Sequence, residues 1–207
     1  MKRLLTFCIL WMPLLIFAQG LSIKSSVSLS KWKGDGLDIA HENLTGFSVG
    51  MLYGIPISDN LIMNLGSRYT SNGTVQRFSE SSNIMGISYH DQLIVKTKNL
   101  DFPILAEYWL NDRIYLMAGP YVSFLLSNEA TFTYTQCIGE ACIGEKEKYD
   151  LDDALESNSF GMEIGIGTLI FNGLLVEVNY LTGLSSLVDQ EDPVKNQSFM
   201  FTLGYKF

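Results

Sequence analysis

Seven charged residues, Lys24, Arg68, Asp101, Glu107, Glu163, Glu177 and Lys206, stand singly within apolar or small-residue stretches such as LSIKSSVSL, LGSRYT and GMEIGIG. Gathered in one interior, such a set forms either a gated ion path or a network of ion pairs that fills and stiffens the space. Four acids against three bases come close to neutralising one another, which favours the network.

Other chemistry finds weaker footing. A hydrolase or acyltransferase needs a histidine within reach of a serine and an orienting carboxylate, and no spacing singles out His41 or His90 for that role. The stretch GIGTLIFNG from Gly165 hints at a dinucleotide loop, but Ile170 stands where a third glycine is needed and no helix follows. The acidic run EKEKYDLDD (145–153) lacks the ordered ligand spacing of a calcium loop. Asn-x-Ser/Thr triplets at Asn43, Asn72 and Asn196 are common by chance and imply no glycan. The reading is therefore a protein without catalytic residues, cofactor or metal.

The beginning MKRLLTFCILWMPLLIFAQG joins a basic start, Lys2 and Arg3, to an apolar run and a small residue. That is the layout of a secretory signal peptide, residues 1–18, cleaved between Ala18 and Gln19. Cys8 sits inside the apolar run and is no lipid attachment site. The whole chain carries a net charge of -8, and losing the leader makes it more acidic, which disfavours nucleic acid as a partner. In an exported chain Cys137 and Cys142, with four residues between them, form a local disulfide. Two sulfurs and two scattered histidines make a poor zinc site.

The elements that must position the seven charges show a period of two, the mark of strands with unlike faces. Eight runs alternate, starting near residues 21, 46, 61, 99, 114, 159, 174 and 198. In the last, Phe199, Phe201, Leu203, Tyr205 and Phe207 alternate with Ser198, Met200, Thr202, Gly204 and Lys206. Tight turns at 58–60, 111–112 and 172–173 alternate with long polar connections at 31–44, 73–92, 127–157 and 186–196. This is the pattern of an all-β, eight-stranded antiparallel up-and-down transmembrane β-barrel over residues 19–207, with short periplasmic turns and long extracellular loops. A soluble sandwich or lipocalin-like barrel also alternates, but its outer face carries Lys, Glu and Thr, whereas the polar face here is dominated by Gly, Ser, Asn and Thr. In the membrane reading the apolar rows meet outer-membrane lipid and the seven charges line the lumen. Tyr53, Tyr108, Trp109, Phe171, Tyr205 and Phe207 fall near the short turns as an aromatic belt.

Four stretches, GFSVGMLYGIPISDN (46–60), NLDFPILAEYWLNDRIYLMAGPYVSFLLS (99–127), SFGMEIGIG (159–167) and TLGYKF (202–207), resemble the PorT-like, or porin-family, outer-membrane β-barrel proteins of Gram-negative bacteria. The resemblance implies an eight-stranded barrel in the outer membrane. It also implies that the strand ending in Tyr205 and Phe207 is read by the barrel assembly machinery. Gly66 departs from the family, whose third strand often carries an acid there. Some relatives serve protein secretion, so a secretion-system or extracellular partner met through the long loops is one expectation. The leading function is a monomeric structural or interaction barrel. A PorT-type secretion accessory, a narrow passive pore and a lipid-modifying enzyme are the alternatives.

Overall fold

The computed structural model describes residues 20–34, 41–82, 87–138, 141–149, 155–187 and 194–207. The signal-peptide assignment, with Ala18 and Gln19, lies outside the described residues.

Among the described residues nine strands follow one another: β1 (Leu21–Lys33), β2 (His41–Ser58), β3 (Leu61–Ser82), β4 (Ile87–Trp109), β5 (Ile114–Ile138), β6 (Ala141–Tyr149), β7 (Asn158–Phe171), β8 (Leu174–Gly183) and β9 (Lys195–Lys206). Eight are hydrogen-bonded antiparallel in the order β4-β3-β2-β1-β9-β8-β7-β5, and a β4–β5 pairing closes the ring. The last strand joins the first from Ser22↔Lys206 to Lys33↔Lys195, and Phe207 N–H donates to Leu21 O at 2.9 Å.

Turn chemistry fixes the short ends. Asn111 Oδ1 accepts from the N–H groups of Arg113 and Ile114, each at 2.9 Å, an Asx-type turn. Between β7 and β8, Gly173 has φ +98, a conformation that a side chain would penalise.

The alternation resolves as expected of a membrane barrel. Along β1 every second residue, Ser22, Lys24, Ser26, Ser28 and Ser30, is buried, while Ile23, Val27 and Leu29 are exposed. Phe47, Val49 and Met51 on β2 and Phe199, Phe201 and Leu203 on β9 are likewise exposed. A protein whose aliphatic rows face out and whose serines face in is inverted relative to one dissolved in water. Of the aromatic belt, Tyr53, Tyr108, Phe171, Tyr205 and Phe207 face outward. Trp109 does not: it stands on the inner face of β4, its ring 4.8 Å from that of Tyr115, because it shares the parity of Asp101 and Glu107.

Two expected loops prove to be sheet. β3 and β4 run on as a hairpin through most of 73–92, and β5 continues to Ile138 before turning back as β6. β5 pairs with β7 over Ile114–Phe124, then changes partner to β6 over Ala130–Ile138. β3, β4, β5 and β6 thus stand above the ring as a fin. A bulge shifts β5 by one residue, since Lys98 faces Ser127 while Asn99 faces Leu125. Its inward residues change from Tyr121 and Ser123 to Asn128 and Ala130. Along β6, Glu145 and Glu147 point to one side and Lys146 and Lys148 to the other. The lysine side is the outer one, where Lys148 pairs with Glu129 at 2.8 Å.

Replacing Phe201 by Arg puts a cation among the acyl chains in mid-strand and is expected to lower the unfolding free energy in lipid vesicles by about 2 to 4 kcal/mol near the bilayer midplane. Denaturant titration of vesicle-bound protein measures this. A chain that stayed soluble without detergent or lipid, with gel mobility indifferent to boiling, would overturn the assignment.

Candidate functional site

The interior is layered. At the periplasmic end Leu52, Leu105, Tyr115, Met117 and Leu175 form a buried apolar cluster. Farther along, Tyr121, Leu181 and Met200 form another, and toward the fin Trp32, Val95, Ala130 and Val194 form a third. Two of the large rings lie over glycines of β7. Tyr115 is opposite Gly167 and Tyr121 opposite Gly161, and a Cβ built on Gly167 would stand 2.3 Å from the Tyr115 ring. The glycines make room for rings that fill the cylinder.

All seven sequence-selected charges enter this interior, and strand register decides how they pair. Lys24 Nζ lies 2.5 Å from Glu177 Oε1, which also accepts from the Tyr115 hydroxyl at 2.6 Å. Arg68 bridges two acids, with Nη1 3.0 Å from Glu163 Oε2 and Nε 3.4 Å from Asp101 Oδ2. Asp101 accepts further bonds from Thr70 and Ser123, each at 2.6 Å. Glu107 accepts from Asn64 Nδ2 and Trp109 Nε1, both at 2.8 Å, and Lys206 Nζ stands 3.5 Å away. Within each group the charged partners come from different strands, which alternation alone could not bring into register.

Each acid therefore has at least one charged partner, and three of the four also accept bonds from neutral donors. Partnering of this kind is what makes a buried carboxylate tolerable away from water, although Arg68 Nη2 is itself buried without a hydrogen-bond partner among the described residues. Little room is left beside it. The cavity bounded by Lys24, Arg68, Glu163 and Glu177 measures about 10 Å³, at most the space of a single water. Toward the fin a second cavity of about 30 Å³ reaches Asp101 past Trp32, Asn72 and Tyr121.

Parity in the run that starts near 114 sets Tyr115 and Tyr121 on the same face as Ser123, but alternation does not foretell their part in the network. The signal was present as glycines at inward positions of β7, each marking space claimed by a neighbour's ring. Trp109 was missed because an aromatic beside a turn reads equally as belt or lumen.

The remaining sequence-selected residues fall elsewhere. Cys137 and Cys142 are bonded across the β5–β6 hairpin, where they are register partners. Tyr205 and Phe207 lie on the outer face with ring centroids 5.0 Å apart. His41 begins β2 opposite Gln76 and His90 lies on β4 opposite Ser79, with β3 between the two strands. Residues 145–149 of the acidic run belong to β6, and 150–153 lie outside the described residues. Among the described residues no group of three His, Cys, Asp or Glu side chains is arranged to hold a metal.

Residues 18–189 match the family model described as outer membrane protein beta-barrel domain. Among solved structures, the chain is similar to the attachment invasion locus protein Ail of Yersinia pestis, with 17% identity and TM-score 0.41 over 91% of this chain and 99% of that one. It is also similar to Neisserial surface protein A, with 11% identity and TM-score 0.47 over 91% and 98%. For the outer membrane protease OmpT of Escherichia coli the values are 11% and 0.39 over 91% and 94%. No curated protein matches.

Arg68→Met leaves Glu163 and Asp101 without their base and is expected to cost about 3 to 5 kcal/mol of stability in vesicles. Adding Glu163→Leu should return part of that loss. A single-variant cost below about 1 kcal/mol, typical of exposed pairs, would show that the network is not dry.

Proposed function

As the chain belongs to the outer membrane protein beta-barrel domain family, we propose that this outer-membrane barrel is a structural or interaction protein, with a plugged lumen, no catalysis, and an extracellular fin as its contact face. The observation that carries this reading is the occupancy of the lumen. Three ion-pair groups and three apolar clusters fill the interior, and the cavity beside Lys24, Arg68, Glu163 and Glu177 holds about 10 Å³, less than a hydrated ion needs.

A passive pore requires a continuous wet path, and the engaged carboxylates offer no free group to line one. A lipid-modifying enzyme would draw on His41 or His90, and substituting both without loss of any lipid modification would remove that alternative. The PorT-type accessory role remains within the interaction reading. It is supported by the LDFP and AGPY elements near 100–103 and 118–121, and cross-linking from the fin to components of a protein-secretion apparatus would favour it. Assembly through the outer-membrane barrel machinery, a monomeric state and contact with lipid along the exposed rows complete the proposal.

Purified protein reconstituted into planar bilayers should give no steady conductance steps, and Arg68→Ala combined with Tyr121→Ala should be the variant that begins to leak. Regular steps from the unaltered protein would replace this reading with the pore.

A further inference from the structure

The bulge in β5 turns an aromatic row toward the space above the barrel mouth. Phe132 and Tyr134 then share the inner face of the fin with Leu93 and Asp91 of β4, and Phe78 of β3 lies directly opposite Asp91. Phe78, Tyr89, Asp91 and Phe132 line an open pocket of about 460 Å³. One oxygen of the carboxylate, Oδ1 of Asp91, is buried and has no hydrogen-bond partner among the described residues.

A carboxylate that lines an aromatic pocket with one oxygen buried and unpartnered is costly unless something positive arrives. The bases of the fin among the described residues do not supply it. Arg77 points to the opposite side of β3 and pairs with Glu42 at 3.1 Å, and Lys148 is held on the outer side by Glu129. The electrostatics of the inner face point the same way. Glu145 is paired with Tyr134 and Glu147 with Phe132, so both acids of β6 share the side of the aromatic row, while Lys146 and Lys148 are turned away. Aromatic faces attract cations through their quadrupoles, and ammonium groups are the ligands that such cages hold best.

We propose that Phe78, Tyr89, Phe132 and Asp91 form a binding site for an organic cation of the ammonium or guanidinium class, reached from outside the cell. This rests on the fin being the contact face, and it names what that face recognises. The pocket is several times the size of one such head group, so the cation enters with part of the molecule that carries it. The disulfide between Cys137 and Cys142 ties the tip of the hairpin that contributes Phe132.

The test uses the full folded barrel in maltoside micelles, free of choline-headed detergent, with ligand-observed magnetic resonance as readout. Choline and N-acetyl-arginine amide are the cationic probes, and 3,3-dimethylbutanol is choline's uncharged isostere. Saturable binding of at least one cation is expected, with the isostere roughly tenfold weaker or more. Asp91→Asn and Phe132→Leu should each weaken the cation by about tenfold while leaving heat-dependent gel mobility unchanged. Preference for choline assigns the ammonium class, and preference for the arginine derivative assigns guanidinium. Equal binding of choline and the isostere, unaltered binding by Asp91→Asn, or no saturable cation binding would overturn the site. Because conductance is measured separately, such a failure leaves the plugged-lumen reading standing, and a conducting lumen leaves this site standing.

Discussion

Hydrocarbon offers no partner to a backbone N–H or C=O, so a sheet that crosses it must have no open edge. Much else in this chain follows from that demand. β9 has to return to β1, which is why Phe207 donates a backbone hydrogen bond to Leu21. Closing eight strands leaves an interior wide enough only for side chains, so the inward set must fill a narrow cylinder as completely as a core is filled elsewhere. The outward set needs only to be greasy, and its Phe, Ile, Leu and Val rows satisfy that with little dependence on one another.

The interior solves the filling problem with unlike materials. Rings of Tyr115 and Tyr121 occupy the room that glycines on β7 leave open, and apolar clusters, small polar side chains and charges share the rest. Charge is the harder choice, because each buried group needs a partner at the right height, either beside it, as Arg68 meets Asp101, or across the lumen, as Lys24 meets Glu177. Arg68 meets this by serving two acids at once, and Glu107 by drawing on the amide of Asn64 and the indole of Trp109 as well as Lys206. A lumen built this way is specific to its register, since a slip of one residue would send Lys24 or Glu163 into lipid.

The sequence made the ring legible because the membrane imposes opposite solvents on the two faces of each strand. Ser22 to Ser30 against Ile23 to Leu29 could hardly be read otherwise. Above the bilayer that contrast disappears, since both faces of the fin can meet water. Residues such as Gly73 to Arg77 and Thr131 to Gln136 then lose clean alternation, so that strand there reads as loop. The extra residue in β5 was hidden for a related reason: Leu125 and Leu126 are both apolar, so nothing local marks where inward becomes outward. The partners of the luminal charges were illegible because parity gives a side but not a height, and height depends on the stagger between strands.

The fin ends in β6, whose only neighbour among the described residues is β5, and such a margin is ordinarily an invitation to further strands. The sequence GEKEKY answers that hazard. Two copies related by a twofold axis must align odd positions with odd and even with even, so any such alignment over this stretch sets Glu beside Glu or Lys beside Lys, which is unfavourable. A second β6 laid antiparallel therefore meets like charge along GEKEK, and the projecting border resists pairing with its own image.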